Sequence, residues 1–178
     1  MIATPRLVLE PISVKHALAC FHDFQDHSLY SYVPQAAPAT VAELEERYAF
    51  LEQAKAPAGE VWLNWFGKSI STKRYVCFVQ ATVFLEKSTA LIAYQTFLPF
   101  RRRGFATEAC LAVIQHILEE YSINLVVAEI DSRNEPSIRL VKSMGFLQRS
   151  FKPNADFFKG MPSDEVEMVL DLRMKAPL

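Results

Sequence analysis

Arg101, Arg102 and Arg103 stand in a row immediately before Gly104, and Phe105-Ala106-Thr107 follow. Three guanidiniums beside a glycine suit a polyanion, because each planar fork donates hydrogen bonds to phosphate oxygens in pairs. Upstream, Phe97-Leu98-Pro99-Phe100 closes a strand-like run; downstream, the pattern turns helical. A strand, a tight turn and a helix start form a phosphate-binding arrangement. The first N–H groups of a helix lack partners within it, and the helix dipole adds partial positive charge there. Gly104 lets the backbone bend and lets a phosphate approach without a Cβ in the way. A phosphorylated ligand is therefore expected here. The rival reading is a basic surface turn before an ordinary helix. The turn is not a Walker A loop, since no Gly-Lys-Ser/Thr ends it, and G-x-G-x-x-G is absent.

The elements that must position this turn follow from pattern. Arg6–Ile12 reads as an opening strand, and Ser13 caps a helix through His16, Leu18, Cys20 and Phe21. Pro34 and Pro38 mark a loop over 28–38, and Thr40 caps a helix over Val41–Lys55. Strands are expected at Val61–Phe66, Arg74–Leu85 and Ala90–Leu98. After Gly104, Cys110, Val113, Ile114, Ile117, Leu118 and Tyr121 share one helix face. Leu125–Ile130 is a nearly unbroken apolar strand. Asn134 caps a short helix that ends at Gly145. Phe146–Phe151 and Glu165–Leu172 are the last strands, with a loop holding Pro153, Gly160 and Pro162 between them. The order β-α-α-β-β-β-α-β-α-β-β implies one α/β domain over 1–178, with a mixed sheet of about seven strands and about four helices.

Composition narrows the function classes. The chain has 178 residues, of which 51% are hydrophobic, enough for one sizeable core. Net charge is −1, from 19 basic and 20 acidic residues, so neither nucleic acid nor a membrane surface is an expected partner. Three arginines also fall short of the roughly 5–8-residue basic runs that mark nucleic-acid patches. No apolar run approaches the roughly 18 residues of a membrane span. Arg6 and Glu10 interrupt the N-terminus, so no signal peptide is expected there. Cys20, Cys77 and Cys110 form no CxxC pair and read as reduced thiols of a cytoplasmic protein. His16, His22 and His27 share no ligand spacing, so no metal is expected. Cys77 and Cys110 read as core residues, as do Trp62, Trp65, Tyr30 and Tyr32 in preference to pocket lining.

Three stretches carry a family resemblance. Arg101-Arg102-Arg103-Gly104-Phe105-Ala106 resembles the R/Q-x-x-G-x-G/A motif of the GNAT (GCN5-related N-acetyltransferase) superfamily. Asn134-Glu135-Pro136-Ser137-Ile138-Arg139-Leu140-Val141-Lys142-Ser143-Met144-Gly145-Phe146 is similar to the N-x-x-S-x-x-L-x-x-K-x-G-F helix of its RimJ/RimL branch. Thr4-Pro5-Arg6-Leu7-Val8-Leu9 is typical of the same branch. The likeness runs from about residue 3 to about 172 and is weakest over 22–75, where such enzymes build the acceptor pocket. Tyr75–Val83 lacks the glycine that many relatives carry in the corresponding strand.

The resemblance implies an acetyl-CoA-dependent N-acetyltransferase working by direct attack. Its acceptor would be a protein N-terminus or a small amine. An antibiotic or polyamine acetyltransferase on the same fold, or a CoA-binding protein without catalysis, are the alternatives. Backbone N–H groups from Arg103 to Thr107, with the side chains of Arg101, Arg102 and Arg103, would hold the pyrophosphate. Phe97 and Leu98 would pair with the pantetheine arm, and Asn134 would bond the arm from the opposite side, between two parallel strands that splay apart. Ser137 occupies the position of the proton donor to the leaving thiolate, and also reads as an ordinary polar residue in a helix's first turn. Asp156 falls where a RimL-type acid lies and is the first candidate base, though it also reads as a solvated loop carboxylate; Glu129 and Asp131 are others. Homodimers are common in the family, so a homodimer is one assembly the resemblance allows, although no residue here specifies one.

Overall fold

The computed structural model describes residues 1–53 and 55–174. Ala54, within the expected second helix, and 175–178, within the expected domain, lie outside the described residues. Eight strands form one mixed sheet: β1 (Ile2–Ala3), β2 (Leu7–Pro11), β3 (Glu60–Ser69), β4 (Tyr75–Phe84), β5 (Thr89–Thr96), β6 (Leu125–Asp131), β7 (Leu147–Phe158) and β8 (Met161–Asp171). Four α-helices accompany them: α1 (Lys15–Cys20), α2 (Val41–Glu52), α3 (Phe105–Tyr121) and α4 (Glu135–Ser143). The extra strand is the two-residue β1, too short for any periodic signal.

The spatial order is β1-β2-β3-β4-β5-β6-β8-β7. Hairpin neighbours from β3 to β5 pair antiparallel, while β5 and β6 run parallel across α3. The crossover through α4 carries β7 to the far edge, and β8 returns to fill the space beside β6.

The expected loop between the last two strands is instead most of a long hairpin. Its prolines fit because of where they fall. Pro153 lies in the register irregularity between Lys152 and Asp156. Pro162 lies on β8 beyond Glu165, the last residue paired with β6, so its missing N–H breaks no ladder on that side.

The core lies where α3 covers β4 and β5. Ala109, Cys110, Val113, Ile114 and Ile117 on one face of α3 are fully buried. Phe66 in β3 is also fully buried, and the buried His16 ring stacks on it at 4.6 Å. Thr40 caps α2 by accepting from the Glu43 N–H at 3.1 Å, and the Glu43 carboxylate accepts from the Ala39 N–H at 2.7 Å. This reciprocal cap fixes the start of the helix that walls the site.

Candidate active site

The phosphate turn is built by backbone conformation. After Thr96 the chain makes one 3-10 turn, Leu98–Phe100, before Arg102 takes φ 58° and Gly104 φ 78°. α3 starts at Phe105, and its first intrahelical bond runs from the Glu108 N–H to the Gly104 C=O at 3.1 Å. The N–H groups of Phe105, Ala106 and Thr107 precede that bond, and Gly104 supplies no capping side chain. Such an end presents donors and partial positive charge to an anion.

Glu108, in the same first turn, would oppose an anion if its charge were uncompensated. The N-terminal segment compensates it. Thr4 Oγ1 donates to Glu108 Oε1 at 2.6 Å, the Arg6 N–H to Oε1 at 2.8 Å, and Arg6 Nε to Oε2 at 2.5 Å. Burial pushes the Glu108 carboxyl up, but these bonds outweigh it and hold the group below its ordinary value. Arg6 also donates to the Arg103 C=O at 2.9 Å and lies 4.7 Å over the Phe105 ring. The opening Thr4-Pro5-Arg6 motif, in the turn between β1 and β2, therefore braces the phosphate turn from about a hundred residues earlier in the chain.

The three arginines divide their work. Arg101 is engaged within the protein: it donates to the Thr96 C=O at 3.1 Å, Ser28 Oγ at 2.8 Å and Asp26 Oδ2 at 3.2 Å. Its guanidinium ties the turn to segment 26–28 and is not free for a ligand. Arg102 is exposed and makes no ion pair among the described residues. Arg103 is exposed and rests over the rings of Phe100 and Phe105 at 5.9 and 5.3 Å.

Beside this turn the sheet parts. β5 and β6 pair only over Thr89↔Leu125, Ala90↔Val126 and Leu91↔Val127. β5 then continues to Thr96 along β4, and β6 to Asp131 along β8, with no further pairing between them. Phe97 is fully buried; its N–H donates to the Val76 C=O at 3.0 Å, and its C=O accepts from the Phe100 N–H. In an antiparallel ladder, residues of one parity direct both backbone groups at one neighbour. The parity of Phe97 faces β4, so the backbone of Tyr94 and Thr96 faces the parting. Leu98 is 57% exposed at its mouth. The expectation that Phe97 pairs with a ligand arm thus gives way to its even-numbered neighbours.

Across the parting, Asp131 shapes the turn into α4. Its carboxylate accepts from Arg133 Nη2 at 2.5 Å and from Ser163 Oγ at 2.7 Å, and its C=O accepts from the Asn134 N–H at 2.8 Å. The Asn134 side chain accepts from the Ser137 N–H at 3.2 Å, capping α4. Ser137 Oγ then meets the Tyr94 hydroxyl at 2.7 Å, closing a bridge between β5 and α4. Burial pushes the Tyr94 phenol up and the Ser137 contact only partly offsets this, so Tyr94 stays protonated at neutral pH.

Tyr94 also lines a cavity of about 320 Å³ between α2, the 24–38 segment, the middle of β4 and the last residues of β5. Tyr30 and Tyr48 share its wall, whereas Trp62 and Trp65 do not. Lys159, at the tip of the β7–β8 hairpin, donates to the carbonyls of Tyr30 and Val33 and so holds the outer wall in place.

The candidate bases lie elsewhere. Asp156 is exposed on β7, accepts from the Phe157 N–H and does not line the cavity. Glu129 is exposed on β6 and faces Lys152 at 3.7 Å. The Arg133 guanidinium holds Asp131 down at about 2, too acidic to take a proton from an amine. All three cysteines are buried and their thiols pushed up by that burial, Cys77 to about 12, so none is a thiolate nucleophile.

Asp131 and Glu167, the latter also held at about 2 by Arg149, carry a pH signature. Their folded values lie below the ordinary carboxylate range of about 4. The stability they contribute is therefore complete above that range and is lost as pH falls toward their folded values. Thermal unfolding is expected to hold a steady Tm above about pH 5 and to fall between about pH 4 and 2. Asp131→Asn is expected to lower Tm at pH 7 and to make the acid fall shallower.

A sheet parted between two parallel strands, with a helix start suited to an anion at the parting and a cavity beside it, can hold an extended phosphorylated ligand next to an acceptor. A family model described as "Acetyltransferase (GNAT) domain" matches residues 6–147, and the chain belongs to that family. The N-acetyltransferase YnaD of Bacillus subtilis (strain 168), itself described as uncharacterized, is 22% identical over 153 residues, 84% of each chain. The ribosomal-protein-S5-alanine acetyltransferase of Vibrio fischeri superposes with a TM-score of 0.83 at 14% identity, over 98% of each chain. A Salmonella typhimurium acetyltransferase that modifies the N-terminal serine of ribosomal protein L7/L12 gives 0.82 at 14% identity, over 95% of this chain and 96% of that one. At these identities the structural likeness is one of fold. The family uses acetyl-CoA as co-substrate. The uncapped α3 start, the exposed guanidiniums of Arg102 and Arg103, and the open edge of β5 fit its pyrophosphate and its extended arm.

Proposed function

We propose that the chain acetylates an α-amine, the N-terminus of a peptide or protein, by direct attack. Acetyl-CoA supplies an acyl thioester when bound. The N–H groups of Arg103 to Thr107, with Arg102 and Arg103, hold the phosphates, while Tyr94, Thr96 and Leu98 offer backbone partners on one side of the arm and Asn134 lies on the other. The amine lone pair forms the C–N bond. The C–S bond breaks with its electron pair on sulfur, the amine loses one proton, and sulfur gains one. The Tyr94 hydroxyl, oriented by Ser137, holds a proton for that sulfur.

The observation that carries this reading is a cavity with a donor but no available base. Glu43 is the one carboxylate lining it among the described residues, and Glu43 accepts from the Ala39 N–H. An acceptor that deprotonates itself suits such a site. At pH 7.5 roughly a third of a peptide α-amine is neutral, against roughly one in a thousand of a lysine-like amine. That contrast favours an N-terminus over a polyamine. The Vibrio and Salmonella proteins, whose descriptions give ribosomal-protein acceptors, support the same acceptor class.

The test is titration calorimetry with acetyl-CoA, with NADH as control, followed by thiol release against peptides and spermidine. Saturable binding of acetyl-CoA alone is expected. The kcat/KM for peptides should rise with pH through the amine's own pKa of about 8. Absence of acetyl-CoA binding, or spermidine as the better acceptor, would overturn the reading.

A further inference from the structure

The acceptor cavity has one charged side chain with nothing to answer it. Of the charged residues lining the wall, Glu43 is engaged in the helix cap, whereas Arg47, one turn further along α2, makes no ion pair among the described residues. Arg47 is exposed at the rim, and beside it Tyr48 is only 2% exposed. The Tyr48 hydroxyl has no hydrogen-bond partner among the described residues although the residue lines the cavity. The hydroxyl oxygen itself is not sealed off, so it can meet a partner entering from the cavity side. Tyr30, on the facing segment, already donates to the Phe24 C=O at 2.9 Å. Burial raises both phenols, and the Arg47 charge draws both down, which places the guanidinium within electrostatic reach of each. The remaining wall is apolar or neutral, with Phe24, Leu44 and Phe78 among its residues.

We propose that the acceptor bears a carboxylate close to its reacting amine, and that Arg47 and Tyr48 together bind that carboxylate. This rests on the acetyl-transfer reading above. The guanidinium supplies a charge-assisted pair of donors and the phenol a third, neutral one. A carboxylate entering between them satisfies the Tyr48 hydroxyl and the Arg47 charge in one step. A cationic acceptor meets like charge at the rim and finds no free carboxylate beyond it. A cavity of about 320 Å³ is near the lower end of ligand pockets, roughly 300–1,000 Å³, so only the first residue or two of a chain fit. The preferred acceptor is thus a peptide with Asp or Glu as its first or second residue.

The experiment compares thiol release for otherwise identical peptides with Asp, Asn or Lys in those positions, with calorimetric binding of acetyl-CoA measured for every variant. Wild type is expected to show kcat/KM about 10-fold higher for Asp than for Asn, as one charge-assisted bond provides, and about 100-fold higher than for Lys. Arg47→Gln should remove the Asp preference mainly through KM, and Arg47→Glu should turn it toward Lys, both with acetyl-CoA affinity unchanged. Tyr48→Phe should weaken the Asp peptide alone. The inference is overturned if Asn or Lys peptides match Asp, if Arg47→Gln keeps the preference, or if acetyl-CoA binds and no Asp peptide reacts. Failure of acetyl-CoA to bind would instead remove the transfer reading beneath it.

Discussion

Tyr94→Phe is expected to lower kcat about 100-fold, within the range for a lost proton-transfer group, while acetyl-CoA affinity stays within about two-fold of wild type. The argument is geometric. Tyr94 is the residue that touches both halves of the site: its ring lines the acceptor cavity, and its hydroxyl meets Ser137 Oγ at 2.7 Å across the parted strands. Phe keeps the ring, its packing and the β5 backbone, so binding and fold persist while the proton is lost. Ser137→Ala should cost less, about 10-fold, because the Tyr94 hydroxyl can still donate to the Ser137 C=O at 3.2 Å. The double variant should be no slower than Tyr94→Phe, since the two hydroxyls act as one unit. Asp156→Asn should leave kcat within about two-fold, since that carboxylate is exposed on β7. A Tyr94→Phe enzyme within three-fold of wild type, or a steeper loss for Ser137→Ala, would move the donor away from Tyr94. Comparing kcat with binding separates a chemical from a structural effect. A structural loss lowers acetyl-CoA affinity or Tm together with kcat, whereas loss of the donor lowers kcat alone.

What could be read from the chain alone was local. The face of α3 from Cys110 to Ile117, the Thr40 cap, the Asn134 cap and the strand-turn-helix around Gly104 all depend on residues within a few positions of one another. The readable signals end where partners are distant. Arg101 looked like a ligand group because Asp26 and Ser28, some 75 residues earlier, carry no sign that they will meet it. Glu108 looked like a simple helix-start acid, and its anchorage to Thr4 and Arg6 appears only when β2 lies alongside α3. Tyr94 and Ser137 are 43 positions apart, and each alone is an unremarkable polar residue in a strand and a helix. The base candidates lie apart from the cavity for a related reason. The family resemblance pointed to Asp156, but β8 inserts between β6 and β7 and carries Asp156 along the outer edge of the sheet. Pro153 and Pro162 suggested a loop because a sequence does not show which side of a strand lacks a neighbour.

Gly104→Val is expected to weaken acetyl-CoA binding by about 10- to 100-fold and to lower Tm by a few degrees. Two effects contribute, and a second glycine separates them. Gly104 takes φ 78°, where a residue with a Cβ costs roughly 1–2 kcal/mol. A Cβ there would also stand 3.2 Å from Arg6 Nη2. That guanidinium can move, but its movement loosens the bond to the Arg103 C=O and leaves the new side chain where a phosphate must approach the α3 N–H groups. Gly160, at the β7–β8 turn, has the same φ of 78° and nothing within 4 Å of its absent Cβ. Gly160→Val therefore carries the backbone strain without the cradle. It should lower Tm by a comparable amount and leave acetyl-CoA affinity unchanged. If both variants bind acetyl-CoA equally, then the glycine at the turn serves only the backbone and the phosphates lie elsewhere. If only Gly104→Val loses affinity, the loss belongs to the space above the helix start. Arg6→Ala should then reproduce part of it, by removing the brace on Arg103 and uncovering the Glu108 charge.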